Sequence, residues 1–454
     1  MNSETDNKKT PLLLIISDQI LLKAANQVLF QTIRGYLDHG FRVNLILNGD
    51  SGHEEKNIAK IEDLFPDDIE NINLKYYSIP LLRTFKFCQI LFKKFKVYIK
   101  SEINKKLQVA LLESNQISGF EGTRTRFTFI SDFKFMLSIH ASKKLSLQEI
   151  KREKPTVICG FEVAGAVVGE AISRKIKVPF FTKYMGTIVY PYIQQNRLNE
   201  VKPYMKGLKV KADLYFMLND GTKGDKVLSY FDIPKDKIRF KIDGVDKEKF
   251  KNLSTKKDAR KELDLNLKEM DFLCLCLSNH NAPYKRLDRA VRAVSEASKV
   301  NPRIKLVLVG EGLNTSSLKE LSSSLEATNN ILFKSKISHQ DVPVIMSASD
   351  CYLNTNDVSN LSHTVLEAMS AGMPVISMND GSLDQIIDNN INGILVNPSN
   401  CHEELPKAIL ELLDNREKLI KIGANAQNYA LENFKTWKEK NSIEVLEVKE
   451  KLRI

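Results

Sequence analysis

The sequence has no apolar run near the roughly 20 residues that a membrane-spanning helix needs. Its first apolar stretch, 12–16, is too short and poorly flanked for a signal-peptide core. Cysteine is scarce: Cys88, Cys159, Cys274, Cys276, Cys351 and Cys401 are scattered, and Cys274-x-Cys276 has no second pair. Reduced thiols are therefore expected, and a zinc site is not. There is no internal repeat and no low-complexity tract. The 43% hydrophobic and 27% charged residues, with 20 Gly and 14 Pro, exclude a disordered, collagen-like or coiled-coil chain. What remains is a globular protein, expected in the cytoplasm, whose 454 residues call for two domains.

The charge is lopsided. Residues 1–250 hold 41 Lys+Arg against 29 Asp+Glu, whereas the remainder holds 26 against 27, so the net +11 comes from the first half. Such an excess points to an anionic partner there. Residues 81–106 concentrate it, with Arg83, Lys86, Lys93, Lys94, Lys96, Lys100, Lys105 and Lys106 against Glu102, among Phe85, Phe87, Leu91, Phe92 and Phe95. A basic amphipathic helix of this kind fits peripheral contact with the inner membrane face. It fits equally a helix that packs its aromatics on a sheet. Nucleic acid is not expected as a partner, because no stacking motif or basic reading helix is present.

Apolar β-branched runs alternate with helical stripes from end to end, the pattern of an α/β protein with doubly wound parallel sheets. Strands are expected at 11–17, 41–48, 156–160, 178–182, 212–218, 238–242, 272–277, 304–309, 331–333, 351–354, 375–377 and 393–396. The division expected is an N-terminal Rossmann-like domain, 1–205, and a C-terminal one, 206–435, whose sheet begins at 214–218. The charged helix 436–454 is expected to return to the first domain. The natural binding crevice in such folds lies beyond the strand C-termini.

Three stretches after strands carry chemistry. Residues 354–377 read as strand, polar loop and helix starting near Ser362. Backbone N–H groups of Asn360, Leu361, Ser362 and His363 at that start would seat a phosphate, with Glu367 one turn further in, within reach of a ribose. An ordinary capped helix has the same spacing. Residues 278–288 carry His280, Lys285 and Arg286, cations able to reach the same phosphates. Gly310-Glu-Gly312 forms a third turn, weak evidence by itself. On the first domain, Glu162, Tyr184 and Thr187 fall at strand ends and are candidates to orient an acceptor. Capping by Glu162 and packing by Tyr184 explain them as well.

The ordered series Lys285-Arg-Leu-Asp288, Leu306-Val-Leu-Val-Gly-Glu-Gly312, Ser349-Asp350, Leu366-Glu-Ala-Met369, Ala371-Gly-Met-Pro-Val375 and Asn392-Gly-Ile-Leu-Val396 closely resembles the C-terminal domain of glycosyltransferase family 4. Those are retaining, nucleotide-sugar-dependent enzymes of the GT-B fold. The resemblance covers about 210–400, through Ala212-Asp213 and Asp243-Gly-Val-Asp246, while Gly160-Phe-Glu-Val-Ala-Gly165 and Gly186-Thr187 look like the end of that family's N-terminal domain. It implies a C-terminal domain that holds a nucleotide-diphosphate sugar and an N-terminal domain that holds a glycan or lipid-linked acceptor. The leaving phosphate takes the acceptor's proton. The expected role is polysaccharide biosynthesis for the cell envelope or for secretion.

Residue by residue, the resemblance makes Lys285 the phosphate lysine and Glu367 the second glutamate of the Glu-x7-Glu motif. The first glutamate falls on Ser359, with Asp357 nearby; the family's arginine falls on His280; and Asp243 stands where Asn is usual. Asp-x-Asp is absent, which agrees with diphosphate stabilisation by Lys285 and the helix start, with no metal or cofactor required. The catalytic set expected is Lys285, Glu367 and His280, and the donor-binding set Gly310, Ser359, Asn360, Leu361 and Ser362. If a protonated His280 assists the leaving group, kcat should fall as pH rises through a bound-state pKa above about 6.5. The departures at 280 and 359 also fit a degenerate GT-B subunit that binds glycan or nucleotide without turnover.

Overall fold

The structure is a computed structural model and describes residues 10–19, 27–49, 60–78 and 129–454. The basic segment 81–106 lies outside the described residues. Among the described residues, two parallel sheets follow one another along the chain. The first contains β1 (Leu12–Ile16), β2 (Arg42–Asn48), β3 (Ile72–Tyr77), β4 (Val157–Phe161), β5 (Phe180–Tyr184), β6 (Leu214–Leu218) and β7 (Ile238–Lys241), in the order β3-β2-β1-β4-β5-β6-β7. The second contains β8 (Phe272–Leu277), β9 (Ile304–Val309), β10 (Ile331–Lys334), β11 (Cys351–Asn354), β12 (Val375–Met378) and β13 (Ile394–Val396), in the order β10-β9-β8-β11-β12-β13. Central strands such as Leu-Leu-Leu-Ile-Ile of β1 are buried on both faces, because helices cover both sides of a parallel sheet. Each such side chain contributes about 1.5–3 kcal/mol by leaving water.

The expected start of the second sheet at 214 is corrected. Phe181 pairs with Leu214 and Tyr215 with Ile238, so β6 and β7 extend the first sheet. The sheets divide between Lys241 and Phe272, beyond the expected division at 205. Sequence period identifies a strand but carries no information on which edge it joins. Strand β3 and the helix Phe129–Arg152 were not foreseen. In β3, Asn73 and Lys75 interrupt an edge strand that is only partly buried, which weakens its apolar signature.

The helix Trp437–Leu452 returns to the first domain and packs on Gln27–Leu37. A capping box of Thr436 and Glu439 starts it, and Trp437, Val445 and Val448 enter the core beneath β1 and β2. A buried chain of charge fixes it: Lys183 of β5 pairs with Glu444, Glu444 with Lys440 at 3.4 Å, and Lys440 with Asp243 at 2.9 Å. The aspartate at 243 thus has a partner, Lys440, on the returning helix. Burial alone would raise the Glu444 carboxyl, but the two ammonium groups hold it down at about 2.

Candidate active site

Strand order reverses between β8 and β11, which opens a crevice beyond their C-termini. The loops leaving these two strands are tied together there. Thr355 Oγ1 donates to the Lys285 carbonyl (3.1 Å), Asp357 N–H donates to the Tyr284 carbonyl (2.8 Å), and the Arg289 guanidinium donates to the Thr355 carbonyl (3.1 Å). These bonds set Lys285 beside the 355–362 loop. Among the described residues, no carboxylate pairs with its ammonium, which lies 5.2 Å from the Tyr284 ring centre. Burial lowers the Lys285 pKa, and the charge of Asp220 partly restores it.

The helix His363–Ser370 starts as expected, with Ser362 extended at φ −85°, ψ 155°. Ser362 Oγ is buried without a hydrogen-bond partner among the described residues. Of the four N–H groups expected to form the phosphate seat, one is taken within the loop. Ser362 N–H is spent on the Asn360 carbonyl (2.8 Å), which leaves the first-turn N–H groups of His363 and Thr364. Asn360 is fully buried and binds Asp380 (2.8 Å), and Leu361 is buried in the core, so their side chains build the loop rather than face a ligand. Ser359 adopts φ +63° and donates to Asp220 of the first domain at 2.9 Å. Asp357 does not stand in for the missing glutamate, because it is bound to Arg289 at 2.7 Å.

Glu367 is mostly buried and lies 3.3 Å from His363 Nε2. Burial alone would lower the His363 pKa, but Glu367 and Asp243 outweigh it and raise it. The His363 ring also sits 5.7 Å from Trp437, so the donor helix touches the returning C-terminal helix.

His280 lies behind the Gly-x-Gly turn, only 1% exposed, with Nδ1 on Thr315 Oγ1 at 2.9 Å and Nε2 buried without a partner. Gly310, at φ +139°, is required there: a Cβ would stand 1.9 Å from the Ser278 carbonyl and 3.2 Å from His280 Nε2. Burial lowers the His280 pKa, opposed by Glu311. In the free protein the imidazole is therefore shifted toward neutrality, opposite to the direction expected for the bound state.

The first domain repeats the topology, with its reversal between β1 and β4. Glu162 follows β4 at φ +60° and accepts from Met185 N–H at 2.6 Å. Burial, together with Asp18 and Asp220, raises its pKa to about 8 against that hydrogen bond. Thr187 receives Val189 N–H on its hydroxyl (3.3 Å) and donates its own N–H to Thr222 (3.0 Å). The Tyr184 expectation is corrected: the side chain is fully buried, and its hydroxyl donates to the Gly207 carbonyl at 2.7 Å. Sequence reasoning missed Asp220 and the His363 imidazole, having named only the backbone N–H of His363. Asp220-Gly221 ending a strand reads as an ordinary turn, and only its place beyond a strand C-terminus hinted at the crevice.

The family model of glycosyl transferases group 1 matches residues 256–429, the stretch that carries both donor-side loops. An uncharacterized glycosyltransferase of Methanocaldococcus jannaschii is 27% identical over 50% of this chain and 56% of its own. Alpha-monoglucosyldiacylglycerol synthase of Streptococcus pneumoniae is 25% identical over 56% of this chain and 57% of its own. The chain thus spans little more than half the length of these curated relatives. The Anabaena protein HepE, solved with UDP and glucose, superposes with a TM-score of 0.67 at 16% identity, covering 96% of this chain and 98% of that one. That likeness establishes the scaffold, two facing parallel-sheet domains of the GT-B type. Through residues 256–429, the chain is similar to the group 1 glycosyl transferases.

Proposed function

We infer that the protein transfers a sugar from a nucleotide-diphosphate donor to a glycan or lipid-linked acceptor, with retention at the anomeric carbon, in cell-envelope or polysaccharide synthesis. The observation that carries this reading is the bonding of the Lys285 loop to Thr355 and Asp357 across the β8/β11 crevice, beside polar atoms of Ser362 and His280 that have no partner among the described residues. The Lys285 ammonium and the N–H groups of His363 and Thr364 would take the diphosphate, and Glu367 the ribose hydroxyls. As the sugar–phosphate bond breaks, charge grows on the leaving oxygen within reach of that ammonium, where stabilisation is most effective. The leaving phosphate then takes the proton of the acceptor hydroxyl, so no protein nucleophile is needed. A lipid-linked acceptor draws support from the similarity to a glucosyldiacylglycerol synthase, and the UDP and glucose in HepE support a sugar nucleotide as donor.

Release of nucleoside diphosphate from a panel of UDP- and GDP-sugars tests the reading. Wild type should turn over at least one donor, and Lys285→Ala should lose about 100- to 1,000-fold in kcat. Glu367→Ala should weaken nucleotide binding. A second reading, binding without turnover, is favoured by the buried, neutral-leaning His280. It predicts nucleotide binding with no release from any donor.

A further inference from the structure

We propose that Asp220 is the carboxylate that receives the donor sugar's hydroxyls, and that it restricts the donor to an uncharged sugar. The proposal rests on the transferase reading and names the donor class for that same crevice. Asp220 belongs to the first domain, in the loop after β6, yet its Oδ2 accepts from Ser359 in the donor loop of the second (2.9 Å). Its Oδ1 accepts both the N–H (3.1 Å) and the hydroxyl (2.5 Å) of Thr222, so the carboxylate is held in one orientation before any ligand arrives. A carboxylate offers about four acceptor directions, of which these bonds use three. The fourth belongs to Oδ2.

The space around that oxygen is reserved. Gly186 flanks it at φ +91°, and a Cβ there would stand 2.4 Å from Oδ2. Among the described residues, no Lys or Arg nitrogen lies within 4.0 Å of Asp220, and the Lys285 ammonium feels the charge of Asp220. The other acid of the loop, Asp357, is bound to Arg289 at 2.7 Å and lies 3.7 Å from Arg286, so its charge is offset by two guanidinium groups even though its Oδ2 accepts no hydrogen bond among the described residues. Asp220 is the pre-oriented carboxylate without such a guanidinium among the described residues.

A diphosphate drawn to Lys285 and the helix turn cannot turn its oxygens toward a second anion. The group it presents to Asp220 must donate hydrogen bonds, and in a nucleotide-diphosphate sugar that group is the sugar. Hydroxyls satisfy the open direction on Oδ2, whereas a uronate carboxylate would meet like charge in a partly desolvated site. The bond to Ser359 also makes the sugar pocket a joint product of both domains.

The test titrates wild type and Asp220→Asn with UDP and GDP. It then measures donor turnover with a neutral and a uronate sugar on whichever nucleoside binds: UDP-glucose against UDP-glucuronate, or GDP-mannose against GDP-mannuronate. Asp220→Asn should bind the free nucleotide as tightly as wild type or more tightly, because an anion beside the diphosphate is gone. It should lose about ten- to a hundredfold in kcat/KM for the neutral donor, and its preference over the uronate should shrink. Ser359→Ala keeps the carboxylate and should keep the preference, which separates charge from folding. Unchanged neutral-donor turnover in Asp220→Asn, or equal losses for free nucleotide and sugar nucleotide, would overturn the proposal. Absence of nucleotide binding in wild type would instead overturn the transferase reading beneath it.

Discussion

The two domains present the same topological feature, a crevice where strand order reverses, and furnish it differently. At β8/β11, backbone-directed hydrogen bonds assemble the loops while Ser362 Oγ and His280 Nε2 stay unspent. At β1/β4, the described polar groups are turned inward on the loops themselves: Glu162 on Met185, Thr187 on Val189 and Tyr184 on Gly207. Gln19 Oε1 is an exception. A buried polar atom without a partner costs stability. Among the described residues, such atoms are more numerous beside β8/β11, on His280, Asp357, Ser362 and His363, than in the first domain, on Gln19 and Thr182, which marks the crevice better shaped for a fixed polar ligand. Topology locates crevices; unspent polar atoms tell them apart.

The contrast requires both crevices to be held on one rigid frame, and the largest expected effect tests that frame. Glu444→Ala leaves Lys183 and Lys440 buried without their shared partner and should cost about 3–5 kcal/mol in denaturant unfolding. A loss below about 1 kcal/mol would mean that the charge chain does not fix the returning helix to the first domain. Next comes Gly310→Ala, which forces a Cβ into the Ser278 carbonyl. Backbone strain of about 1–3 kcal/mol should appear as weaker nucleotide binding, read by calorimetry. Unaltered affinity would detach the Gly-x-Gly turn from the donor side.

Tyr184→Phe sharpens the other half. It should lower stability by about 1 kcal/mol through loss of the bond to Gly207 and leave kcat unchanged. A large fall in kcat with normal stability would restore this side chain to the acceptor site. A pH-dependent test concerns Glu162, which keeps its proton to about pH 8 when folded but releases it near 4.5 when unfolded. The folded state then binds more protons across that interval, so stability falls as pH rises from 4.5 to 8 and levels off above. Glu162→Gln should flatten the fall in melting temperature; a slope identical to wild type would assign it to other groups.

Much of the second domain was legible because its strands are nearly pure apolar runs. Ile304–Val309 and Phe272–Leu277 emerge at their observed bounds, and the polar loops after them stand out by contrast. Lys285, Gly310, Ser362 and Glu367 were found from these loop positions together with the family resemblance. What stayed hidden depends on contacts between distant residues. Lys183 alternates into a buried position that is tolerable only because Glu444, 261 positions later, meets it. Asp220 and Ser359 are 139 residues apart, and no local pattern joins them. Asn360 was named for its backbone N–H at the helix start; the burial of its side chain against Asp380 depends on a contact 20 residues away that sequence does not report.

The chain passes between the domains twice, and the two passages run side by side. Val245 N–H donates to the Lys435 carbonyl at 3.0 Å, and a Cβ on Gly244 would stand 2.7 Å from Trp437 Cα. Paired tethers behave like the spine of a book: sliding or twisting would strain both, whereas opening needs only small backbone rotations along the line they share. Of the motions open to the two domains, widening the mouth between the covers is the one that such a spine resists least.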